Sequence, residues 1–163
     1  MNADKPKKPI SPETAKARLE ALCARSEQCS YELRQKLNRW GLSTHDAEKI
    51  ITHLIANRYV DDNRFTRAFV NDKIRFERWG QRKVWMALRQ KGIPEETIRE
   101  NLEELDEEQI YDNLKHLLSK KRKTIKDTDP RKIREKLLRF GLSRGYTYDQ
   151  LARVLSSEFR VQS

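Results

Sequence analysis

Basic side chains recur along this chain at helical spacing. Arg34, Lys36 and Arg39 form one group, and Arg82, Lys83, Arg89 and Lys91 a second. A third comprises Arg131, Lys132, Arg134, Lys136 and Arg139, preceded by the run Lys120, Lys121, Arg122 and Lys123. Guanidinium and ammonium groups at such intervals neutralise phosphates or pair with carboxylates on a partner. For any single residue, ordinary solubilising charge is the simpler account; the repetition is what makes the set a candidate binding surface. Trp85 falls beside the second group and has two readings of equal weight: a boundary residue packed between units, or a partly exposed aromatic at an interface.

Catalytic chemistry finds little to use. His45, His53 and His116 are far apart in sequence and share no metal-ligand spacing with Cys23 or Cys29. The two cysteines are too few and too close for a disulfide framework, and neither has a basic neighbour that clearly lowers a thiol pKa. The glycines are isolated, and none opens a phosphate-cradling Gly-x-x-x-x-Gly-Lys-Ser/Thr loop. Asp61-Asp62 has the form of a metal-binding pair, but a helix cap accounts for it more simply. The chain is therefore expected to have no catalytic residue, metal or cofactor and to be a non-enzyme.

The elements that carry the basic groups follow from a repeat. The pattern apolar-x3-apolar-x3-Gly-apolar occurs at Leu33/Leu37/Gly41/Leu42, Val84/Leu88/Gly92/Ile93 and Ile133/Leu137/Gly141/Leu142, at offsets of 51 and 49 residues. Apolar residues four apart share one helix face, and a following Gly can close the helix in the left-handed conformation. On this register Trp85 matches Arg34 and Arg134, while Trp40 and Phe140 match one another. Around each copy, cap and periodicity signals add two helices. Ser11-Pro12 opens the first, Ser30 caps the second, and Ser43 or Thr44 caps the third. Asp61-Asp62, Gly80, Pro94, Asp106, Asp129-Pro130 and Thr147 or Tyr148 open the remainder.

The predicted fold is all-α: three tandem three-helix repeats forming an elongated, curved molecule. Residues 1–12 are expected to be a disordered tail, with repeats at 13–60, 61–105 and 106–163. Only 36% of the residues are hydrophobic and 37% charged, so each small repeat buries a modest core and depends on its neighbours.

The net charge of +10 points to an acidic partner, but its distribution is uneven. Residues 115–144 carry twelve Lys/Arg against three Asp/Glu, and residues 73–91 carry seven against one. Between them, residues 95–112 carry nine Asp/Glu against one Arg. Alternating sign suits a partner that itself bears both signs. No stretch is apolar enough to span a membrane, and the first residues lack the apolar core of a signal peptide, so a cytoplasmic monomer is expected.

Three segments, Ser30-Tyr-Glu-Leu-Arg-Gln-Lys-Leu, Tyr59-Val-Asp-Asp-Asn-Arg-Phe65 and Lys91-Gly-Ile, resemble the RecX family of recombination regulators. That family pairs S-x-E-L-R-x-K-L with a later G-Y-L-D-D-x-R-F and a K-G-I, and the likeness runs from Ala15 to Leu155. Two departures stand out: Arg78-Trp79-Gly80 replaces the family's Gly-x-Gly, and Asn57-Arg58 stands where a Gly often precedes the Tyr. The resemblance implies a protein that lies in the groove of the RecA–DNA filament and limits RecA ATP hydrolysis and strand exchange. It also implies weaker direct binding of single- and double-stranded DNA. The alternative is an autonomous DNA- or RNA-binding helical repeat that acts without RecA.

Overall fold

Ser11 accepts a hydrogen bond from the Thr14 N–H, and Pro12 occupies the first turn, so α1 spans Pro12–Arg25. The computed structural model describes residues 10–159, and these are helical wherever they are regular. The helices are α2 Ser30–Arg39, α3 Thr44–Ala56, α4 Asp62–Asn71, α5 Gln81–Gln90, α6 Glu95–Glu103, α7 Glu107–Arg122, α8 Pro130–Ser143 and α9 Tyr148–Glu158. A π-helical turn, Asp72–Phe76, continues α4. Of the tail expected over residues 1–12, the part up to residue 9 lies outside the described residues. Ile10 packs on the first core, and its N–H donates to the Trp40 carbonyl at 3.4 Å.

By packing, the chain divides into two units, Met1–Ala68 and Phe69–Ser163, with the boundary inside α4. In the first, Ala15 and Leu19 of α1, Leu33 and Leu37 of α2 and Ile50, Ile51 and Leu54 of α3 enclose one core. Ser30 does not cap α2 as the sequence suggested. Cys29 is the cap residue, its side chain makes no cap hydrogen bond, and that function is supplied from a distance. The Asp62 carboxylate accepts both the Ser30 N–H at 2.8 Å and the Ser30 hydroxyl at 2.6 Å. Asp61 caps its own helix, accepting from Asn63 and Arg64 N–H groups at 3.0 Å. The tandem aspartates thus serve two different helix N-termini, where negative charge is favourable. Beside them, Arg64 donates to Glu27 at 2.5 Å and to the Arg58 carbonyl at 3.2 Å.

In the second unit, Ile110, Leu114 and Leu118 of α7 meet Leu137 of α8 and Leu151, Val154 and Leu155 of α9. The C-terminus of α8 corrects the register read from the sequence. Gly141 lies inside the helix, which runs a turn past the expected end at Phe140, and Gly145 takes the left-handed position with φ of 95°. The hydrogen bonds make the equivalence plain. Gly41 N–H bonds Asn38 and Leu42 N–H bonds Leu37, as Gly92 bonds Arg89 and Ile93 bonds Leu88; Gly145 bonds Leu142 and Tyr146 bonds Gly141. All three are Schellman ends, and their glycines lie at 41, 92 and 145. Because α8 is 14 residues long and α2 and α5 are 10, the third copy has an extra turn at its start. Trp85 therefore matches Arg34 and Leu138, and the counterpart of Trp40 is Arg144 rather than Phe140.

The second and third repeats interlock at this turn. The Gly80 N–H donates to the Arg144 carbonyl at 2.8 Å, and the Arg82 N–H to the Gly145 carbonyl at 3.1 Å. A Cβ on Gly80 would overlap the Gly145 carbonyl, and one on Gly145 would overlap Lys83. The buried Tyr146 hydroxyl completes the joint by donating to the Arg78 carbonyl at 2.7 Å. Among the described residues, Arg78 and Arg58 are the non-glycine residues with positive φ, at 54° and 59°. These are the two places where the sequence departs from the glycines of the family it resembles.

Two expectations follow. Gly145→Ala should cost about 3 kcal/mol or more, since left-handed strain and overpacking add. Arg58→Gly and Arg78→Gly should each raise stability by about 0.5–1 kcal/mol, because relief of left-handed strain exceeds the entropy glycine adds to the unfolded chain. Urea unfolding measures both. Burial also raises the Tyr146 pKa above its usual value, so the neutral phenol stabilises the fold below about pH 10 and that contribution is lost as the pH climbs further. Tyr146→Phe should cost about 1–3 kcal/mol at neutral pH, with the gap from wild type narrowing above pH 10.

Candidate nucleic-acid interface

Of the first basic group, Arg34 is drawn into the fold. Arg34 Nε donates to Glu48 of α3 at 2.8 Å, and its Nη1 reaches the Ser30 hydroxyl at 3.4 Å. This ion pair joins α2 to α3. Lys36 is half-buried and Arg39 exposed on the same helix.

The second group is likewise partly engaged. Lys83 lies over the Trp79 ring at 4.1 Å and Lys73 over the same ring at 4.8 Å, while Phe69 meets Trp79 edge-on at 6.3 Å. Lys91 lies 5.7 Å over Phe69. Stacking of this kind stabilises the loop before α5 and holds the ammonium groups near aromatic faces. Arg89 donates to the Ile93 carbonyl at 3.1 Å, reinforcing the end of α5. Arg82 is exposed, and Trp85, half-buried, lines a shallow recess with Met86.

The third group converges instead of dispersing. The C-terminal end of α7, the loop after it and the outer face of α8 enclose an open cleft of about 640 Å³. Lys121, Lys126, Lys136 and Arg139 line it, with Ile125 and Phe140 at its apolar side. No carboxylate is among the lining residues, although two stand just outside. Asp127 pairs with Lys136, whose ammonium holds the Asp127 carboxyl below the usual range, and Glu135 accepts from Arg139 at 3.1 Å. The Phe140 ring carries two cations, Lys121 at 5.1 Å and Arg144 at 5.0 Å. Phosphate oxygens fit the ammonium and guanidinium groups, and an aromatic ring among them can receive a base.

Lys120, Arg122 and Lys123 are exposed around the end of α7, and Arg131 and Lys132 occupy the extra first turn of α8. Cations at the end of α7 also complement its dipole, which explains part of their number without a ligand. Arg134 is half-buried. Arg78, ahead of Lys120 and Lys123, depresses the His116 pKa, so this imidazole adds no charge to the basic face at neutral pH. Two cations at the cleft were not singled out from the sequence: Lys126 in its lining and Arg144 over the Phe140 ring. The charge of the 115–144 segment was the only signal for the two cations.

Among the described residues there is no group of three His, Cys, Asp or Glu side chains placed to hold a metal ion. Cys23 and Cys29 form no disulfide, and burial, followed by Glu27, pushes the Cys23 thiol up. No described helix is long and apolar enough to cross a membrane.

Comparison with known proteins gives a consistent result. Residues 61–102 match the family described as RecX, second three-helix domain, and residues 107–155 match RecX, third three-helix domain. The regulatory protein RecX of Vibrio parahaemolyticus is 31% identical over 137 residues, covering 84% of this chain and 86% of that protein. The regulatory protein RecX of Clostridium botulinum is 33% identical over 133 residues, 80% of this chain but 62% of the longer relative. In fold, the chain is similar to a crystal structure of regulatory protein RecX, with a TM-score of 0.81 at 19% identity over 90% of this chain and 72% of that one. It is similar also to RecX from Lactobacillus salivarius, with a TM-score of 0.76 at 16% identity over 89% and 94%.

The cleft makes a specific forecast. Lys121→Glu, Lys126→Glu and Arg139→Glu combined should weaken single-stranded oligonucleotide binding about 10- to 100-fold. The slope of log affinity against log salt should fall by about 2. Helicity should be unchanged, since none of the three is buried in the core. Arg34→Ala should lower stability while leaving that affinity in place. Fluorescence anisotropy across a salt series and circular dichroism read both outcomes.

Proposed function

Because the chain belongs to the RecX family of regulatory proteins, we propose that it regulates homologous recombination by binding the RecA–DNA filament and lowering RecA ATP hydrolysis and strand exchange. It does so in the cytoplasm, as a monomer, by occupying surface rather than by turning over a substrate of its own. The three repeats, 13–60, 61–105 and 106–163, lie along the filament groove, which presents phosphate and protein side chains together.

The observation that carries the reading is the cation-lined cleft between α7 and α8, in the same unit as the acidic segment 95–112. A duplex or single strand alone asks only for positive charge; a nucleoprotein filament asks for both signs. The same cleft gives the second reading its support: direct DNA or RNA binding without the recombinase.

Titrating the full chain into RecA filaments formed on single-stranded DNA, with ATP hydrolysis followed continuously, separates the two. Hydrolysis should fall at or below one chain per RecA protomer. Unchanged hydrolysis and strand exchange by a folded chain would sink the proposal. Tight, steeply salt-dependent oligonucleotide binding in that case would leave the autonomous nucleic-acid reading standing.

A further inference from the structure

The acidic segment 95–112 contributes two carboxylates, Glu103 and Glu107, to a second concave site. In the second unit, α6, α7 and α9 surround a cavity of about 380 Å³ whose apolar wall includes Leu102, Ile110 and Val154. Glu103, Glu107 and Asp149 converge on it, opposed by one cation, Arg153. That guanidinium lies over the Tyr111 ring at 5.2 Å and is thus already in contact with an aromatic face. Gln81 and Leu102 also line an adjacent recess of about 410 Å³, bounded by Trp85 and Met86. Met86 is 63% exposed although it lies on an amphipathic helix whose opposite face is fully buried.

Local chemistry explains part of this. Glu107 and Asp149 stand in the first turns of α7 and α9, where the helix dipole favours carboxylates, and Glu103 lies 3.8 Å from Arg99. The dipole does not account for their meeting around one apolar cavity, or for an exposed Met and a half-buried Trp beside it. An apolar floor with a charged rim is the anatomy of a protein-binding surface, and Met and Trp are enriched there. The rim's sign repels phosphate and attracts Lys or Arg.

We propose that this groove seats an apolar segment flanked by lysine or arginine, presented by a protein partner. An apolar side chain of that segment enters the Trp85–Met86 recess, and the neighbouring cation reaches the three carboxylates with its stem over Leu102. The inference rests on the function proposed above, in which that partner is the recombinase protomer, and it divides the labour of the second unit: the α7–α8 cleft meets nucleic acid and the α6–α9 groove meets protein.

The test uses the full chain and two variants, Glu103→Gln with Glu107→Gln, and Met86→Glu. Co-sedimentation with recombinase filaments on single-stranded DNA reads partner binding. Anisotropy with a bare labelled oligonucleotide reads DNA binding, and circular dichroism verifies folding. Filament affinity should fall at least about fivefold in both variants. Bare-DNA affinity should be unchanged, or tighter where carboxylates are neutralised. Variants that bind filaments as well as wild type overturn the groove while the proposed function stands. Equal loss on bare DNA also overturns it, because the groove would then contact nucleic acid. A wild-type chain that fails to bind filaments overturns the proposed function, and the assigned partner with it.

Discussion

The second unit depends on one close approach of backbone to backbone. Gly80, at the start of α5, and Gly145, at the end of α8, meet with no room for a side chain on either, and two N–H to carbonyl bonds cross between the segments. Buried main-chain groups need partners, and here each segment satisfies the other. Tyr146 then fills the space above and ties its hydroxyl to the Arg78 carbonyl. This joint lets two small helical repeats behave as one packed unit, with the α6–α9 groove and the α7–α8 cleft both built on it. Neither repeat has many apolar residues to bury alone, so the shared turn supplies order that core size does not.

The first unit solves the corresponding problem with charge. Asp62 reaches from the start of α4 to the start of α2, and Arg64 beside it reaches Glu27. Two motifs separated by about thirty residues in sequence thus form one joint. The Asp61-Asp62 pair, which resembles a metal site when read in isolation, is consumed by two helix N-termini. Both carboxylates accept hydrogen bonds at those termini, and among the described residues no third ligand joins them.

The basic residues divide by how they are grouped. Arg34, Lys83 and Arg89 each have a separate partner within the fold: a carboxylate, an indole ring and a carbonyl. Lys121, Lys126, Lys136 and Arg139 share a cleft whose lining holds no carboxylate. Lys136 and Arg139 keep partners of their own, Asp127 and Glu135, so what sets the third group apart is convergence on one cleft. The difference arises because α8 is longer and packs beside the end of α7, where cations already gather to complement the dipole. Phe140 belongs to this cleft for the same reason: the corrected register moves it off the position held by Trp40.

Local physics made much of the molecule legible in the sequence. Ser11, Ser43, Asp106, Asp129 and Thr147 cap the helices that their side-chain chemistry suits them to cap, and the 3.6-residue period placed the core leucines and isoleucines. The blocks of opposite charge were equally open to reading. The third repeat's register was not. Ile133, Leu137 and Gly141 fall four apart, and a stripe spaced by about one turn looks the same when slid by one turn. Only the hydrogen bonds of the closing turn, with Gly145 at positive φ, remove that degeneracy. The same holds for the groups brought together from afar: Asp62 on Ser30, Gly80 on Gly145, and Glu103, Glu107 and Asp149 around one cavity. Caps and periodicity act within a few residues and so are written in the chain itself, whereas these contacts depend on how helices pack, which no local pattern encodes.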